Sequence, residues 1–482
     1  MKNLPQNYQI KAEWCKRSFY YFLQEFWETI IQEKPSYNWH IEYLCNQLQN
    51  VAFKIKQRDN ADADMVINVP PGSTKSTIIS QMFPVWCWVI DPTIKLITGS
   101  HSLTLSTRDA VKSRDIIRSD KFQLYFPELQ IKSDSDNKTR YETTKTGVRI
   151  ATSVGSYITG EHAHILIADD PLNASEMPSQ LQLQSSNDWV DYLRSTRKIN
   201  AEVSVFILLM QRLHEKDPSG HLIVDSKIKH ICLPAILSDN VKPEELKEKY
   251  TNNLFDTTRL SEKILADKKK VLGSYGYAGQ YLQSPAPIGG GILKREWFGT
   301  FTMDDLITRA KNKGVDLVWN YTVDGAYTAD TSNDQSAILA YCMFQNEIYI
   351  RAVIGVWEEL PDFIKTLTNF VVLNGYNSTS SIYVEPKATG LSIVQTIKRE
   401  SYLNVIVDKA PNKDKVSRAM AVSPFIESRR VHLLSNGQGI NELLLQCESF
   451  PNAKLKDMVD CLIMAIQRFQ DNKGAILEMG FL

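Results

Sequence analysis

Residues 65–77 read Met65-Val66-Ile67-Asn68-Val69-Pro70-Pro71-Gly72-Ser73-Thr74-Lys75-Ser76-Thr77. An apolar strand there runs into a turn of small residues that ends in Lys-Ser-Thr, as in a phosphate-binding loop ahead of a helix. In such a loop the backbone N–H groups cradle phosphates, Lys75 reaches the β- and γ-phosphates, and the Ser76 hydroxyl ligates Mg²⁺. We therefore predict nucleotide contacts for Pro71, Gly72, Ser73, Thr74, Lys75, Ser76 and Thr77.

This loop is degenerate, because Val69 and Thr74 stand where the usual pattern has glycine. An ordinary strand, turn and helix fits the segment equally well. The rest of the chain has to decide between the two interpretations.

The composition is that of a folded protein with two main domains. The 482 residues are too many for one ordinary core, and 43% of them are hydrophobic. Lys+Arg and Asp+Glu both number 55, so any binding of nucleic acid must come from local basic patches. Seven scattered cysteines without a C-x-x-C pair predict buried thiols rather than zinc sites or disulfides. No apolar run is long enough to cross a membrane and no signal core opens the chain, so we expect a cytosolic protein.

The spacing of apolar residues predicts an α/β protein with four segments. A helical extension is followed by alternating short apolar runs and helical patterns, as in a doubly wound sheet. A stretch without that rhythm contains the strongest cluster of Gly and Pro, at 284–291. The predicted segments are the helical extension 1–60, the P-loop-type domain 61–235, the linker or hinge region 236–295 and a second α/β domain 296–482.

The second domain is predicted to open with an antiparallel meander. Three closely spaced strand candidates lie at 317–324, 335–344 and 347–357, joined by short polar connections. Helices and strands then alternate, and two helical stretches close the chain.

Two carboxylates follow the apolar run His164–Ala168, where a P-loop enzyme needs acids beside its nucleotide. Because successive side chains of a strand alternate between faces, Asp169 is predicted to hold the metal and Asp170 to polarise the attacking water. A strand that ends in Asp-Asp before a turn is common on its own. The Lys-Ser-Thr turn upstream is what favours the nucleotide interpretation.

Gln211 and Arg212 follow another apolar run, Val203–Leu209. At a strand tip beside the predicted loop, both side chains could sense the γ-phosphate. Arg212 is equally consistent with a structural ion pair.

Four acids of the second domain have the order of an RNase H-like nuclease. Asp324 and Glu385 each end an apolar strand candidate, and Asp457 and Asp460 lie three residues apart near the start of a helix, hence on one face. Two-metal cleavage of a phosphodiester needs several carboxylates converging on ions about 3.5–4 Å apart. Each acid alone is more often a solvated end of an element, and the ordered set is what favours a metal site.

The same domain contains a basic stretch around Pro411-Asn412. We predict that it grips DNA phosphates on either side of the cut, since the acids need a polyanion brought to them, and a charged helix face is the alternative. The basic residues are Lys387, Lys409, Lys413, Lys415, Arg418, Arg429 and Arg430.

The order of these motifs closely resembles the large terminase subunit of tailed bacteriophages, the motor that cuts and packages viral DNA. The resemblance covers nearly the whole chain. Besides the loop and the Asp-Asp strand, it rests on Tyr157-Ile158-Thr159-Gly160, Gln211-Arg212-Leu213-His214-Glu215-Lys216-Asp217-Pro218-Ser219-Gly220, Leu233-Pro234-Ala235 and Arg295-Glu296-Trp297-Phe298.

The resemblance implies a P-loop NTPase domain followed by an RNase H-like nuclease domain. It places Lys75, Ser76, Asp169 and Asp170 at the nucleotide site and makes Gln211-Arg212 the coupling motif. It places Asp324, Glu385, Asp457 and Asp460 at the nuclease site. The implied cofactors are ATP and Mg²⁺, with Mn²⁺ as the alternative ion for the nuclease.

The implied partners are double-stranded DNA, a portal protein and a small terminase subunit. The chain would work as a homo-oligomeric ring on a procapsid, without a membrane. A phage or prophage gene would encode it, and it would act in the cytoplasm of the bacterial host without entering the virion.

Two departures from the family pattern matter. Several members carry an arginine finger inside the loop, about where Pro71 stands, so we predict a finger supplied by a neighbouring subunit. Candidates are Arg108, Arg114 and Arg118, for each of which a solvated helix-face charge is the alternative. The family's last helix starts His-Asp-Asp, whereas this one has Leu455-Lys456-Asp457. That leaves open whether Asp457 or Asp460 is the third nuclease ligand.

Two other classes of protein fit parts of the pattern. One is a transposase- or resolvase-like RNase H nuclease whose N-terminal domain is a regulatory or degenerate ATPase. The other is a non-catalytic DNA-binding component. ATP turnover and metal-dependent nicking of DNA distinguish the three.

Overall fold

A computed structural model describes residues 7–60, 63–174, 178–285, 292–325, 335–385, 390–409, 414–451 and 455–479. The chain forms two compact units, Met1–Lys269 with Tyr275–Ala286, and Lys270–Ser274 with Pro287–Leu482. Each unit has its own mixed sheet with helices, so the α/β class predicted from the sequence is confirmed. Within the described ranges, none of the helices has the length and apolar character that crossing a membrane requires.

Three helices open the N-terminal unit, in the segment where apolar residues recur at helical spacing. Ser18 caps the second helix by accepting a hydrogen bond from the Tyr21 N–H, and Asn38 caps the third. Their apolar faces are buried, and the Phe19 ring lies 5.3 Å from that of Trp86. The helices are α1 (Asn7–Arg17), α2 (Phe19–Phe26) and α3 (Trp39–Gln57).

An eight-stranded sheet forms the centre of this unit. In chain order its elements are β1 (Met65–Asn68), a π-helical segment (Thr77–Met82), α4 (Phe83–Ile90), β2 (Leu96–Ser100), α5 (Leu103–Arg118), α6 (Asp120–Tyr125), β3 (Ile131–Asp136), β4 (Arg140–Thr143), β5 (Val148–Ser153), β6 (Ile165–Asp169), α7 (Gln180–Thr196), β7 (Val205–Met210), α8 (Pro218–Leu222) and β8 (Lys229–Cys232).

The strand order is β3-β4-β5-β2-β6-β7-β1-β8. From β5 to β8 every neighbouring pair is parallel. The strands β1, β2, β6 and β7 are buried along their whole length, which explains their nearly continuous apolar sequences. Because β1, β6 and β7 are neighbours, the residues that follow them meet at one edge of the sheet.

The segment after β8 contains a 3₁₀ turn (Glu244–Lys249) and α9 (Glu262–Gln280), in which Gly273 has a left-handed φ of 66°. A role for residues 236–295 as a hinge stays a prediction.

The C-terminal unit holds a seven-stranded sheet with the order β14-β13-β10-β11-β12-β15-β9. Its elements are β9 (Gly299–Phe301), α10 (Met303–Asn312), β10 (Trp319–Asp324), β11 (Ser336–Phe344), β12 (Glu347–Val356), α11 (Leu360–Leu373), β13 (Ile382–Val384), α12 (Gly390–Glu400), β14 (Val405–Val407), α13 (Lys415–Glu427), β15 (Val431–Leu434), α14 (Ile440–Ser449) and α15 (Asp457–Met479).

The predicted meander is confirmed, since β10, β11 and β12 pair antiparallel in that order. It does not open the unit as predicted, because β9 and α10 precede it. The closing segment differs from the prediction, because three helices and the strand β15 stand where two helical stretches were expected. With only four residues, β15 is too short to show a period of its own.

Both faces of this second sheet are covered. Along β11, Ala337, Leu339 and Tyr341 pack on the side of α15, and the alternate residues pack into a second core. The Thr322 hydroxyl of β10 donates to the Cys461 carbonyl of α15 at 2.9 Å. This contact sets the first turn of α15 beside the carboxyl end of β10.

Candidate active sites

The loop after β1 has the backbone that a phosphate-binding turn needs. Gly72 and Thr74 both have left-handed φ angles, 77° and 67°, and the helical stretch begins at Lys75. Glycine at the position of Thr74 would adopt this angle without strain, whereas a β-branched residue there is strained. Thr74 therefore replaces the glycine of the usual pattern while keeping its left-handed backbone conformation.

Lys75 connects the ends of three strands. Its Nζ donates to Gln211 Oε1, after β7, at 2.5 Å and lies 3.3 Å from Asp170 Oδ2, after β6. The lysine is buried, and the Asp170 side chain is about a quarter exposed. Three of the residues predicted for the nucleotide site therefore lie in direct contact.

Asp169 is the buried acid of this site. Burial, and then the charge of Asp170, raise its pKa to about 7. Its Oδ2 accepts a hydrogen bond from Ser80 Oγ at 2.6 Å, and its Oδ1 has no hydrogen-bond partner among the described residues. A carboxylate oxygen kept free in a buried site suits a Mg²⁺ ligand.

Ser80 was not predicted from the sequence. It lies four residues after Ser76, in the π-helical segment, and it is the hydroxyl that Asp169 uses in this structure. Short π-helical segments are frequent at functional sites. Spacing on one helix face was the signal that could have pointed to it.

Two further residues that the sequence did not single out support the loop. The His40 Nε2 lies 2.9 Å from the Ser73 carbonyl oxygen, and Asn38 Nδ2 lies 3.1 Å from His40 Nδ1. Burial lowers the pKa of His40 to about 4, so the ring is neutral at pH 7, and the two contacts fit a proton on Nε2. Arg259 donates to Thr74 Oγ1, and to the Ser36 carbonyl at 2.6 Å.

Arg212 forms an ion pair within its own loop. Its Nε donates to both oxygens of Asp217, at 3.0 and 3.1 Å, and its Nη2 donates to the carbonyls of His214 and Glu215 at 3.3 Å. Of the two alternatives that the sequence left open for Arg212, the structural ion pair is the one present in this structure.

The three candidates for an arginine finger have different surroundings on α5. Arg114 is buried and pairs with Asp136 at 3.0 Å, and Arg118 pairs with the same carboxylate. Arg108 contacts the adjacent Asp109 at 3.1 Å. Only Arg108 and Arg118 of the three have half-exposed side chains, and a finger acting in trans stays a prediction.

Three aspartates come together in the C-terminal unit. Asp324 ends β10, and Asp457 and Asp460 lie on the first turn of α15. One carboxylate oxygen of each lies within 4.8 Å of the other two, and all three residues are at most 1% exposed. The Gln335 N–H donates to Asp457 Oδ2 at 3.3 Å and fixes that carboxylate.

This donor set fits a divalent metal ion. Carboxylate oxygens are the ligands that Mg²⁺ and Mn²⁺ prefer. Burial raises the pKa of Asp460 to about 6, although the ammonium of Lys415 lowers it, and Asp460 Oδ1 has no hydrogen-bond partner in the described parts of the chain. Both Asp457 and Asp460 belong to the cluster, so the structure favours neither one over the other as third ligand.

Glu385 lies beside this cluster without joining it. Val323 of β10 and Val384 of β13 are in register, so Asp324 and Glu385 follow at neighbouring strand ends. The Glu385 carboxylate accepts a hydrogen bond from Arg418 Nη1 at 2.9 Å, and both side chains are 6% exposed. The structure thus groups three of the four predicted acids and pairs the fourth with an arginine.

The predicted DNA-binding residues are only partly free to bind DNA. Lys415 contacts Asp460 and lies 3.9 Å from Asp324. The Arg430 guanidinium lies 4.2 Å from the centre of the Phe425 ring, and Lys409 lies 3.6 Å from Asp471 at the surface. Arg429 is exposed. Lys387 and Lys413 lie outside the described residues.

Comparisons with known proteins give one family match. Residues 358–469 match the model of the terminase RNaseH-like domain. This segment includes Glu385, Asp457 and Asp460, and the match confirms the predicted terminase resemblance and RNase H-like class for this part of the chain. A comparison with curated protein sequences finds no match.

Several solved structures are similar at low identity. The large terminase of a thermophilic bacteriophage, in complex with ADP, has 8% identity and a TM-score of 0.43, covering 84% of this chain and 90% of that chain. The HK97 bacteriophage large terminase has 10% identity and a TM-score of 0.37, covering 90% and 95%. The Mn-soaked, inhibitor-bound human cytomegalovirus terminase nuclease domain has 14% identity and a TM-score of 0.27, covering 37% and 92%.

Proposed function

We propose that this chain, which carries a terminase RNase H-like domain, hydrolyses ATP in its N-terminal unit to move double-stranded DNA into a procapsid. Its C-terminal unit cuts concatemeric DNA at a two-metal site. The observation that carries the proposal is the convergence of predicted residues from distant parts of each unit. Lys75, Asp170 and Gln211 converge at one edge of the N-terminal sheet. In the C-terminal unit, Asp324 at the end of β10 converges with Asp457 and Asp460 of α15.

In the N-terminal unit, Lys75 and the loop N–H groups bind the phosphates of ATP. Lys75 leaves Asp170 when its ammonium turns to the phosphates, and Asp170 then orients the attacking water. Asp169, together with Ser76 or Ser80, holds the Mg²⁺ that accompanies ATP. Gln211 accepts from Lys75, so its position depends on the phosphate contact of Lys75 and couples the nucleotide to β7.

In the C-terminal unit, Asp324, Asp457 and Asp460 hold the metal ions and Glu385 supplies a fourth carboxylate at the next strand end. Bound ions at such a site activate water and stabilise the leaving oxygen of the cut strand. The contact between Gln335 and Asp457 and the contact between Thr322 and α15 hold the acids in place.

The partners follow from the same family. We propose double-stranded DNA as substrate, a portal protein and a small terminase subunit as partners, and a ring of identical subunits in the host cytoplasm. A ring would let Arg108 or Arg118 of one subunit reach the ATP of the next. The proposed cofactors are ATP with Mg²⁺, and Mg²⁺ or Mn²⁺ at the nuclease site.

Two substitutions test the proposal separately. Lys75→Ala should lower ATP turnover by at least about 100-fold and leave Mg²⁺-dependent plasmid cleavage intact, because one electrostatic contact to the transition state contributes that much. Asp324→Asn should abolish cleavage and leave ATP turnover intact. Lys365→Ala, at the surface of α11, serves as the control in both assays.

The ATPase and nuclease halves of the proposal can be disproved independently of each other. Cleavage that survives Asp324→Asn combined with Glu385→Gln would rule out the nuclease site. A wild-type protein that cuts DNA but turns over no ATP would favour the transposase- or resolvase-like alternative.

A further inference from the structure

The first turn of α13 presents two basic side chains to the acids of the C-terminal unit. Lys415 Nζ contacts Asp460 Oδ2 and lies 3.9 Å from Asp324 Oδ2. One turn along the same face, Arg418 pairs with Glu385. Asp414 caps this turn by accepting a hydrogen bond from the Ser417 N–H, so its backbone is fixed.

The three aspartates are so close together that they need a nearby positive charge even when no metal ion is bound. Their oxygens lie within 4.8 Å of one another at almost no exposure, and carboxylates that close repel one another strongly. The ammonium of Lys415 supplies positive charge at the oxygens that a metal ion would use. An ammonium and a metal ion cannot occupy the same oxygens at the same time.

Lys415 is also the member of the group that is able to move. Its side chain is 33% exposed, whereas those of Asp324 and Asp460 are at most 1% exposed. A lysine has a flexible four-carbon stem. Its head can turn to solvent without unfolding α13, while the carboxylates are fixed by β10 and α15.

We propose that Lys415 is a built-in counter-ion that occupies the metal-binding oxygens of Asp324 and Asp460 and has to leave before a metal ion binds. The inference rests on the proposed nuclease site. Metal binding is then an exchange of one cation for another. The site binds metal more weakly than its carboxylates alone would, and the acid cluster stays stable without metal.

The test is Mn²⁺ binding to the full-length chain, measured from the electron paramagnetic resonance signal of the free ion. Lys415→Met keeps the length of the side chain and removes its charge, and should tighten Mn²⁺ binding by about tenfold, within the range that groups around a metal ligand produce. Lys415→Arg keeps the charge and should bind as weakly as the wild type. Lys365→Met, an exposed lysine of α11 outside the predicted site, is the matched control and should change nothing.

Thermal unfolding is a second measurement, which keeps the proposal testable if Lys415→Met is too unstable for the binding assay. In EDTA, Lys415→Met should unfold at a lower temperature than the wild type, and saturating Mn²⁺ should restore most of the difference. Binding that is unchanged or weaker in a natively folded Lys415→Met variant would overturn the proposal. So would equal tightening in Lys415→Met and Lys415→Arg.

Asp324→Asn separates this inference from the proposed function. If Asp324→Asn leaves Mn²⁺ binding unchanged, the metal site itself is wrong. If Asp324→Asn removes binding while Lys415→Met does not tighten it, only the role of Lys415 is wrong.

Discussion

Thr74 has a left-handed backbone at the position where the phosphate-loop pattern has glycine, with φ 67°. Such a conformation costs a residue with a side chain roughly 1–2 kcal/mol. Thr74→Gly and Thr74→Ala both remove the hydroxyl that accepts from Arg259, so their difference isolates the backbone strain. We expect the glycine variant to be the more stable of the two by about 1 kcal/mol in urea unfolding.

The same pair of changes at Ser185, an exposed residue inside α7, is the control. There the order should reverse, with alanine more stable by about 1 kcal/mol, because glycine is the poorer helix former. If Thr74→Ala were as stable as Thr74→Gly, the backbone strain inferred at position 74 would be wrong.

At the scale of single residues, local pattern predicted the acids but not their partners. Asp169, Asp170, Asp324 and Glu385 each end an apolar run, and a run followed by an acid is visible in a few residues of sequence. Arg259 contacts Thr74 across 185 positions of the chain. No local pattern encodes such a pair, because it depends on how whole elements pack.

The turn between β7 and α8 is organised by one buried carboxylate. Asp217 is fully buried, pairs with Arg212, accepts from the N–H groups of Leu213 and His214, and caps α8 through Gly220. Asp217→Asn keeps the shape but removes the charge opposite Arg212. We expect the free energy of unfolding to fall by about 3 kcal/mol, since breaking a buried pair leaves an uncompensated charge.

Urea unfolding of Asp217→Asn beside Asp225→Asn measures this effect. Asp225 pairs with Arg194 at 2.9 Å but its side chain is over one-third exposed, so water screens the pair and its loss should cost far less than that of Asp217. Equal costs for the two variants would show that Arg212 is held by something other than Asp217.

At the scale of elements, long apolar patterns predicted the sheets and short polar strands were missed. The buried strands β1, β2, β6 and β7 and the meander β10–β12 follow from their apolar sequences. The hairpin of β3 and β4 lies at the sheet edge, and β3 reads Ile-Lys-Ser-Asp-Ser-Asp. An edge strand pairs on one side only and needs no apolar run, so its sequence resembles a loop.

At the scale of the whole molecule, the groups with shifted pKa values change the pH dependence of stability in opposite directions. Seven of the eight histidines belong to the N-terminal unit, where burial lowers the pKa of His40, His164 and His230 to about 4 each. Between pH 6.5 and 4 the unfolded chain binds more protons at these sites, so stability falls as the pH falls. Asp169 and Asp460, with pKa values raised to about 7 and about 6, bind protons in the folded state and oppose this loss.

A variant of His40 measures the contribution of this one histidine to the pH dependence of stability. His40→Gln keeps a donor for the Ser73 carbonyl but does not titrate, so we expect it to lose about 2 kcal/mol less than the wild type between pH 7.5 and 5. Urea unfolding at the two pH values measures the difference, in which the aspartates cancel. An equal loss in His40→Gln and the wild type would mean that His40 is not held neutral against the loop after β1.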